Sequence, residues 1–368
     1  MPQKLDDMRQ RQSKRKVIIG LVIAAAVIAA FGIGLYMFEN VWENNDEDLE
    51  FSDDDIVLYI GDKVYKITHN VETYLMIGTD DSGDVEKENT EDYHGQMADF
   101  LLLFVIDRTD ETYGFLQIDR NTMVDVPLVD TEGNGEDTEL QQICTAHWYG
   151  GNREHSNNNT VYCVGDLLGG LPIDGYYEIH MSDIGILNHA VGGVEVTLNE
   201  DFSAADPKMT KGKTLTLNDK QAEIFVRGRM EVGDGTNEAR MARQQQYMSA
   251  FKAKAKAELS EDSSFINKLY DDLDAVSLTT IQENQLSVIA NQMYKGMDLG
   301  FLTLDGETVI GTTLQDGKEH EEFYPEDESI AKAMVKLCGI EKTQIHDYVE
   351  DEEFEDEDDA EDDTGEDE

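Results

Sequence analysis

The chain has 368 residues, with 79 acidic against 29 basic side chains and a formal net charge of -50. Nucleic-acid backbones are bound by clustered lysine and arginine, so this balance excludes a nucleic-acid partner. Three cysteines (Cys144, Cys163 and Cys338), none in a C-x-x-C pair, exclude a disulfide-scaffolded fold and leave at most one bridge.

Residues 1–16 are short and basic, with Lys4, Arg9, Arg11, Lys14, Arg15 and Lys16. Residues 17–38 (VIIGLVIAAAVIAAFGIGLYMF) carry no charge. At about 1.5 Å rise per residue they span a hydrocarbon core roughly 30 Å thick. The acidic run Glu43-Asn44-Asn45-Asp46-Glu47-Asp48 follows, so the positive-inside rule keeps the N-terminus in the cytoplasm. No A-x-A-like cleavage site closes the apolar run, which favours an anchor over a cleaved signal peptide. The expectation is a single-pass protein of a bacterial cell membrane whose main domain lies outside.

Residues 39–55 read as an acidic tether. Ile56–Ile60 and Val64–Ile67 then flank Gly61-Asp62-Lys63, the pattern of a β-hairpin. Tyr74–Ile77, Phe100–Ile106, Phe115–Ile118 and Val194–Leu198 are β-prone apolar runs. Helical patterns lie between and beyond them at Thr160–Leu168, Ser182–Ala190, Asp219–Arg227 and Glu238–Leu259. Asn218 and Gln221 form a capping-box pair that starts the third of these helices. Alternation of this kind predicts an α/β sheet covered by helices. Nothing Pro- or Ser-rich divides 264–345 from what precedes it, so 56–345 reads as one domain. Residues 346–368 are dominated by Asp and Glu and are expected to stay disordered.

The phosphate loop, the G-x-S-x-G elbow and the H-E-x-x-H zinc helix are all missing. Asp130-Thr131-Glu132-Gly133-Asn134-Gly135 lacks the closing Glu of a calcium loop, Gln141 standing there, and reads as a polar loop. The informative feature is arginine clustering in a chain short of arginine. Arg227 and Arg229 close one predicted helix; Arg240, Arg243 and Gln244 open the next. Arg240 and Gln244 share a helix face, with Arg243 close to it. Crowded guanidinium groups repel unless an anion lies between them, and their planar forks suit phosphate oxygens. Asp80 follows one strand and Asp99 precedes the next, so both carboxylates converge on the crevice at the strand ends. Oxygen ligands of this kind suit Mg²⁺. Arg120 lies just past the end of a further strand.

The ordered set Ile77-Gly78-Thr79-Asp80, Asp99, Asp119-Arg120-Asn121-Thr122, Ala146 to Gly151, Ala190 to Val196, Arg227-x-Arg229 and Arg240-x-x-Arg243-Gln244 resembles the LytR-CpsA-Psr family of bacterial cell-wall glycopolymer ligases. The resemblance spans roughly residues 56–345. It implies a central mixed β-sheet flanked by helices, and a polyprenyl-pyrophosphate-linked glycan transferred to peptidoglycan with Mg²⁺ as cofactor. By position, Asp80 and Asp99 would hold the metal and Arg120 and Arg240 would act in catalysis. Arg227, Arg229, Arg243 and Gln244 would grip the pyrophosphate. The family pattern has Arg where Met97 stands, Asp at Asn121, Lys-Ile-Asn at Gln142-Ile143-Cys144, and an acid at Asn237. Those departures leave a second expectation open: an attenuated relative that binds the lipid in a regulatory or scaffolding role.

Overall fold

In the computed structural model the described residues are 55–80, 94–130, 132–135, 137–228, 232, 235–314 and 317–343. The expected basic N-terminus, membrane span and acidic tail, and nearly all of the tether, lie outside them. Among the described residues no helix is long and apolar enough to cross a membrane.

Strands β1 (Val57–Ile60) and β2 (Lys63–Ile67) form the expected hairpin, with Ile60 paired to Lys63 across Gly61-Asp62. Gly61 sits at φ +61°, a left-handed conformation that side chains resist, which is why glycine fits this turn. β3 (Val71–Thr79), β4 (Ala98–Asp107) and β5 (Thr112–Ile118) make an antiparallel meander. β5 is buried along its whole length, as expected of a strand covered on both faces. β6 (Met123–Pro127) and β7 (Thr138–Gln142) form a further hairpin whose loop carries the polar stretch after Asp130.

A 3₁₀ turn at Ile143–Trp148 leads into α1 (Arg153–Leu167). The Asn152 side chain accepts the His155 amide at 2.9 Å and starts this helix well before the apolar signal at Thr160. β8 (Gly175–His180), α2 (Ile184–Ala190) and the antiparallel pair β9 (Glu195–Thr197) and β10 (Thr214–Thr216) follow. α3 (Asp219–Arg227) begins at the capping box that the sequence predicts, Asn218 and Gln221 each bonding the other's backbone N–H at 2.9 and 3.2 Å. Then come α4 (Asn237–Glu261), α5 (Phe265–Asp274), β11 (Ser277–Thr279), α6 (Glu283–Lys295) and β12 (Met297–Thr303). The hairpin β13 (Gly306–Gly311) and β14 (His320–Pro325), helix α7 (Asp327–Cys338) and β15 (Ile340–Thr343) complete the order.

The central sheet runs β11-β8-β3-β4-β5-β12. It is parallel at β8–β3 and β5–β12 and antiparallel elsewhere, the mixed α/β arrangement that the family resemblance implies. Alternation along the strands sends Tyr74, Phe104 and Phe115 to one face, where they meet Ile281 and Ile289. α7 packs on the other face, and Gly114 of β5 is small because a Cβ there would meet Leu337. All three cysteines are buried and free, so no bridge forms.

Candidate functional site

At one end of the sheet the close of β3, the start of β4 and the close of β5 come together. β3 and β4 are antiparallel, with Thr79 opposite Ala98 and a register shift beside Gly78, so Asp80 and Asp99 belong to neighbouring strand ends. The Asp99 carboxylate lies between two guanidinium groups: Arg120 Nε is 3.0 Å from Oδ1, and Arg240 Nη1 is 3.2 Å from Oδ2. Asp80 pairs with Arg227, which also donates to Glu223 one turn back at 2.7 Å. Arg240 is buried, Arg120 nearly so, and Asp80 stands open to solvent.

Each arginine has further partners. Arg120 Nη2 meets two sulfur atoms, Cys144 Sγ at 3.0 Å and Met97 Sδ at 3.1 Å. Sulfur is a weak acceptor, so a phosphate oxygen competes easily for that edge. Burial works against the charge on Arg120, but the Cys144 sulfur and the carboxylates of Asp99 and Asp119 outweigh it and raise its pKa. Burial likewise opposes charge on Arg227, and Glu223 and Asp80 reverse the effect. Burial pushes the Cys144 thiol up, and Arg120 opposes that shift.

Arg240 Nη2 donates to Asn237 Oδ1 at 2.7 Å, and Asn237 Nδ2 donates to Asp119 Oδ1 at 2.6 Å. Asp119 therefore supplies, through Asn237, a carboxylate where the family pattern has an acid on the helix itself. Asn121 Nδ2 donates to Glu321 Oε2 at 3.1 Å, which brings another carboxylate to the position of a missing one. Asn237 and Asp119 stand within the family motifs, but their bond to each other was not foreseen, and nothing in the sequence pointed to Glu321 as part of this site.

Gln244 is buried and lines a cavity of about 270 Å³ between the sheet and helices α2, α4, α5 and α6. Its Oε1 accepts from Gln117 Nε2 at 2.8 Å. Tyr247, Met248, Phe251, Ala255 and Leu259 continue the lining along α4 at helical spacing, facing Phe100, Phe104 and Phe115 of the sheet. Lys252 and Lys256 also line it; Lys252 Nζ lies 5.0 Å above the Phe115 ring and 2.5 Å from Asp298. The cavity thus starts two turns or less from Arg240 and runs along the helix away from it.

The structure gathers Asp80, Asp99, Arg120, Arg227 and Arg240 at the sheet end, with Gln244 just inside the cavity. Arg243 is placed elsewhere. Its guanidinium pairs with Glu200, donates to the backbone oxygens of Gly228 and of Phe225 (3.3 Å), and lies 5.6 Å above the Phe202 ring. It fastens the end of α3 to α4 and has no bond to Asp80 or Asp99 among the described residues. Arg229 lies outside the described residues.

The family model described as the LytR_cpsA_psr family matches residues 47–327. The chain belongs to this family. It is 26% identical over 273 residues to the polyisoprenyl-teichoic acid–peptidoglycan teichoic acid transferase TagU of Halalkalibacterium halodurans, covering 74% of this chain and 81% of that one. Bacillus subtilis TagT, of the same printed activity, is 27% identical over 273 residues, covering 69% and 76%. Among solved structures, B. subtilis TagV gives a TM-score of 0.54 at 18% identity, covering 73% of this chain and 98% of that one. TagT bound to LI-WTA gives 0.52 at 18% identity, covering 80% and 95%. At such identities the structural likeness speaks for the fold alone.

Proposed function

We propose that this protein transfers a glycopolymer from a polyprenyl-pyrophosphate carrier to a hydroxyl of peptidoglycan. The observation that carries this reading is the junction of a shared-carboxylate arginine cluster with a deep apolar cavity. A polyprenyl chain contributes roughly 0.8 kcal/mol for each buried CH₂, so the cavity suits the lipid. The cluster beside it suits the pyrophosphate. The named activity of the TagU and TagT relatives points the same way and narrows the cargo to an anionic wall polymer of the teichoic-acid kind.

Asp80 and Asp99 offer the hard oxygen donors that Mg²⁺ prefers, and the exposure of Asp80 leaves room for the waters it retains. Bound there, the ion would supply neutralisation of pyrophosphate charge. An arriving pyrophosphate draws Arg120, Arg227 and Arg240 from the two carboxylates onto its own oxygens. As the sugar-linked phosphorus is attacked, charge grows on the departing polyprenyl phosphate, and arginines already in place stabilise it without reorganisation. Arg120, held on one edge only by sulfur, has the most to gain. Met97 and Asn121, each in place of a charged family residue, favour the second reading of a binder without efficient transfer.

The test is retention of a fluorescent polyprenyl pyrophosphate by the full-length protein in detergent, with Mg²⁺ and with EDTA. Saturable binding that weakens in EDTA and in Asp99→Ala is expected. Binding indifferent to both would remove the metal and Asp99 from the site.

A further inference from the structure

The strand ends carry a second group that the pyrophosphate cluster does not use. β8 lies parallel to β3, with His180 opposite Thr79, so the imidazole stands one strand away from the residue that precedes Asp80. Tyr177, Ile179 and Met181 face the lipid cavity. Glu178 and His180 alternate with them and face the other side of the sheet. There they form a chain of hydrogen bonds. Arg153, at the start of α1, grips the fully buried Glu178 carboxylate through Nε (3.1 Å) and Nη2. Thr79 Oγ1 donates to Glu178 Oε1 at 2.8 Å and lies 3.0 Å from His180 Nδ1.

That chain fixes the imidazole tautomer. Glu178, ion-paired to Arg153, can only accept, so it takes the one hydroxyl proton of Thr79. Thr79 then has only lone pairs for His180, and Nδ1 must carry the hydrogen. Nε2 is left as the unprotonated nitrogen of a half-buried ring, and no partner for it stands among the described residues. An imidazole oriented by a hydroxyl and a buried carboxylate is the arrangement of a general base.

We propose that His180 accepts the proton of the incoming peptidoglycan hydroxyl, an inference that rests on the transfer reading above. In-line displacement puts attacking and leaving oxygens on opposite sides of phosphorus. The lipid enters from the helix-covered cavity face, so the acceptor approaches from the opposite face, where His180 lies. The hydroxyl oxygen bonds to the sugar-linked phosphorus as the bond to the polyprenyl phosphate oxygen breaks. The electron pair leaves with polyprenyl phosphate, and the hydroxyl proton passes to Nε2. Among the described residues, the charged groups that reach the ring through Thr79 are Glu178 on its own strand and Arg153 from α1, which offsets Glu178.

The test uses the full-length protein, a lipid-pyrophosphate glycan and peptidoglycan, across a pH series. The wild-type rate should fall on the acid side of the profile. His180→Gln should transfer about 100-fold or more slowly at every pH, bind the lipid-linked glycan as wild type does, and lose the acid limb of the profile. Added imidazole should restore part of the rate to His180→Ala, an effect that a merely structural loss cannot give. Thr79→Val, which frees the tautomer, should lower the maximal rate without changing donor KM. Wild-type rate and profile in His180→Gln overturn the inference, as does loss of lipid binding in step with rate. Absence of transfer by wild type with tight lipid binding instead overturns the transfer reading and takes the inference with it.

Discussion

Asp99 shares one carboxylate between the guanidinium groups of Arg120 and Arg240 within a half-buried crevice. An anion of two phosphates offers each guanidinium acceptor oxygens of its own, and the sulfur contacts of Arg120 yield to it at little cost. Arg120→Ala should therefore weaken donor binding by about 1.5–3 kcal/mol, roughly 10- to 150-fold. If Arg120 also stabilises the departing phosphate, single-turnover transfer should fall by a further factor of about 100. A variant that loses affinity alone would mark the protein as a binder rather than a transferase. Much of this cluster was legible in the sequence, because strand ends and helix-face spacing are enough to bring Asp80, Asp99, Arg120 and Arg240 together. Asp119 was not. Alternation continued past the strand would point its side chain away from Arg120, but β5 ends at Ile118. Asp119 then accepts the Asn121 amide at 2.7 Å, which turns it toward Asn237.

Helix α3 reaches the site because its two ends are fixed. The capping box at Asn218 sets its start, and Arg243 takes up carbonyl oxygens at its close. Helical spacing places Arg243 only about 60° round α4 from Arg240, too small a step for sequence to decide which side it serves. Glu200, beyond β9, decides it. Removing one partner of such a buried pair costs about 3–5 kcal/mol, since the other charge stays behind. Arg243→Ala should show a loss of that size in chemical denaturation, with Glu200→Gln close to it. Unchanged stability together with lost pyrophosphate binding would return Arg243 to the ligand site. Other elements were legible to different degrees. The first hairpin and α3 announce themselves through a turn glycine and a cap. The first half of α1 is Asn-rich and apolar-poor, so only Asn152 marks its beginning. The hairpin of β6 and β7 was hidden because its second strand is polar and largely exposed.

Over the whole molecule the net charge of -50 repels an anionic polymer, so under the proposed reading the local arginines must offset that repulsion at the site. The apolar run at 17–38, expected to anchor the chain, would set this domain outside the cell membrane, where lipid-linked donor and peptidoglycan meet. Protease added to intact spheroplasts should digest the chain beyond that span; a protected domain would reverse the orientation. The central claim, that one site holds the lipid pyrophosphate and passes its polymer on, is tested most directly by a stoichiometric transfer assay. Purified full-length protein is given a polyprenyl-pyrophosphate glycan labelled in the sugar, peptidoglycan and Mg²⁺. Label bound covalently to peptidoglycan and released polyprenyl phosphate should appear in equal amounts, and Arg120→Ala should suppress both together. Folded protein that binds the donor but yields neither product would contradict the account.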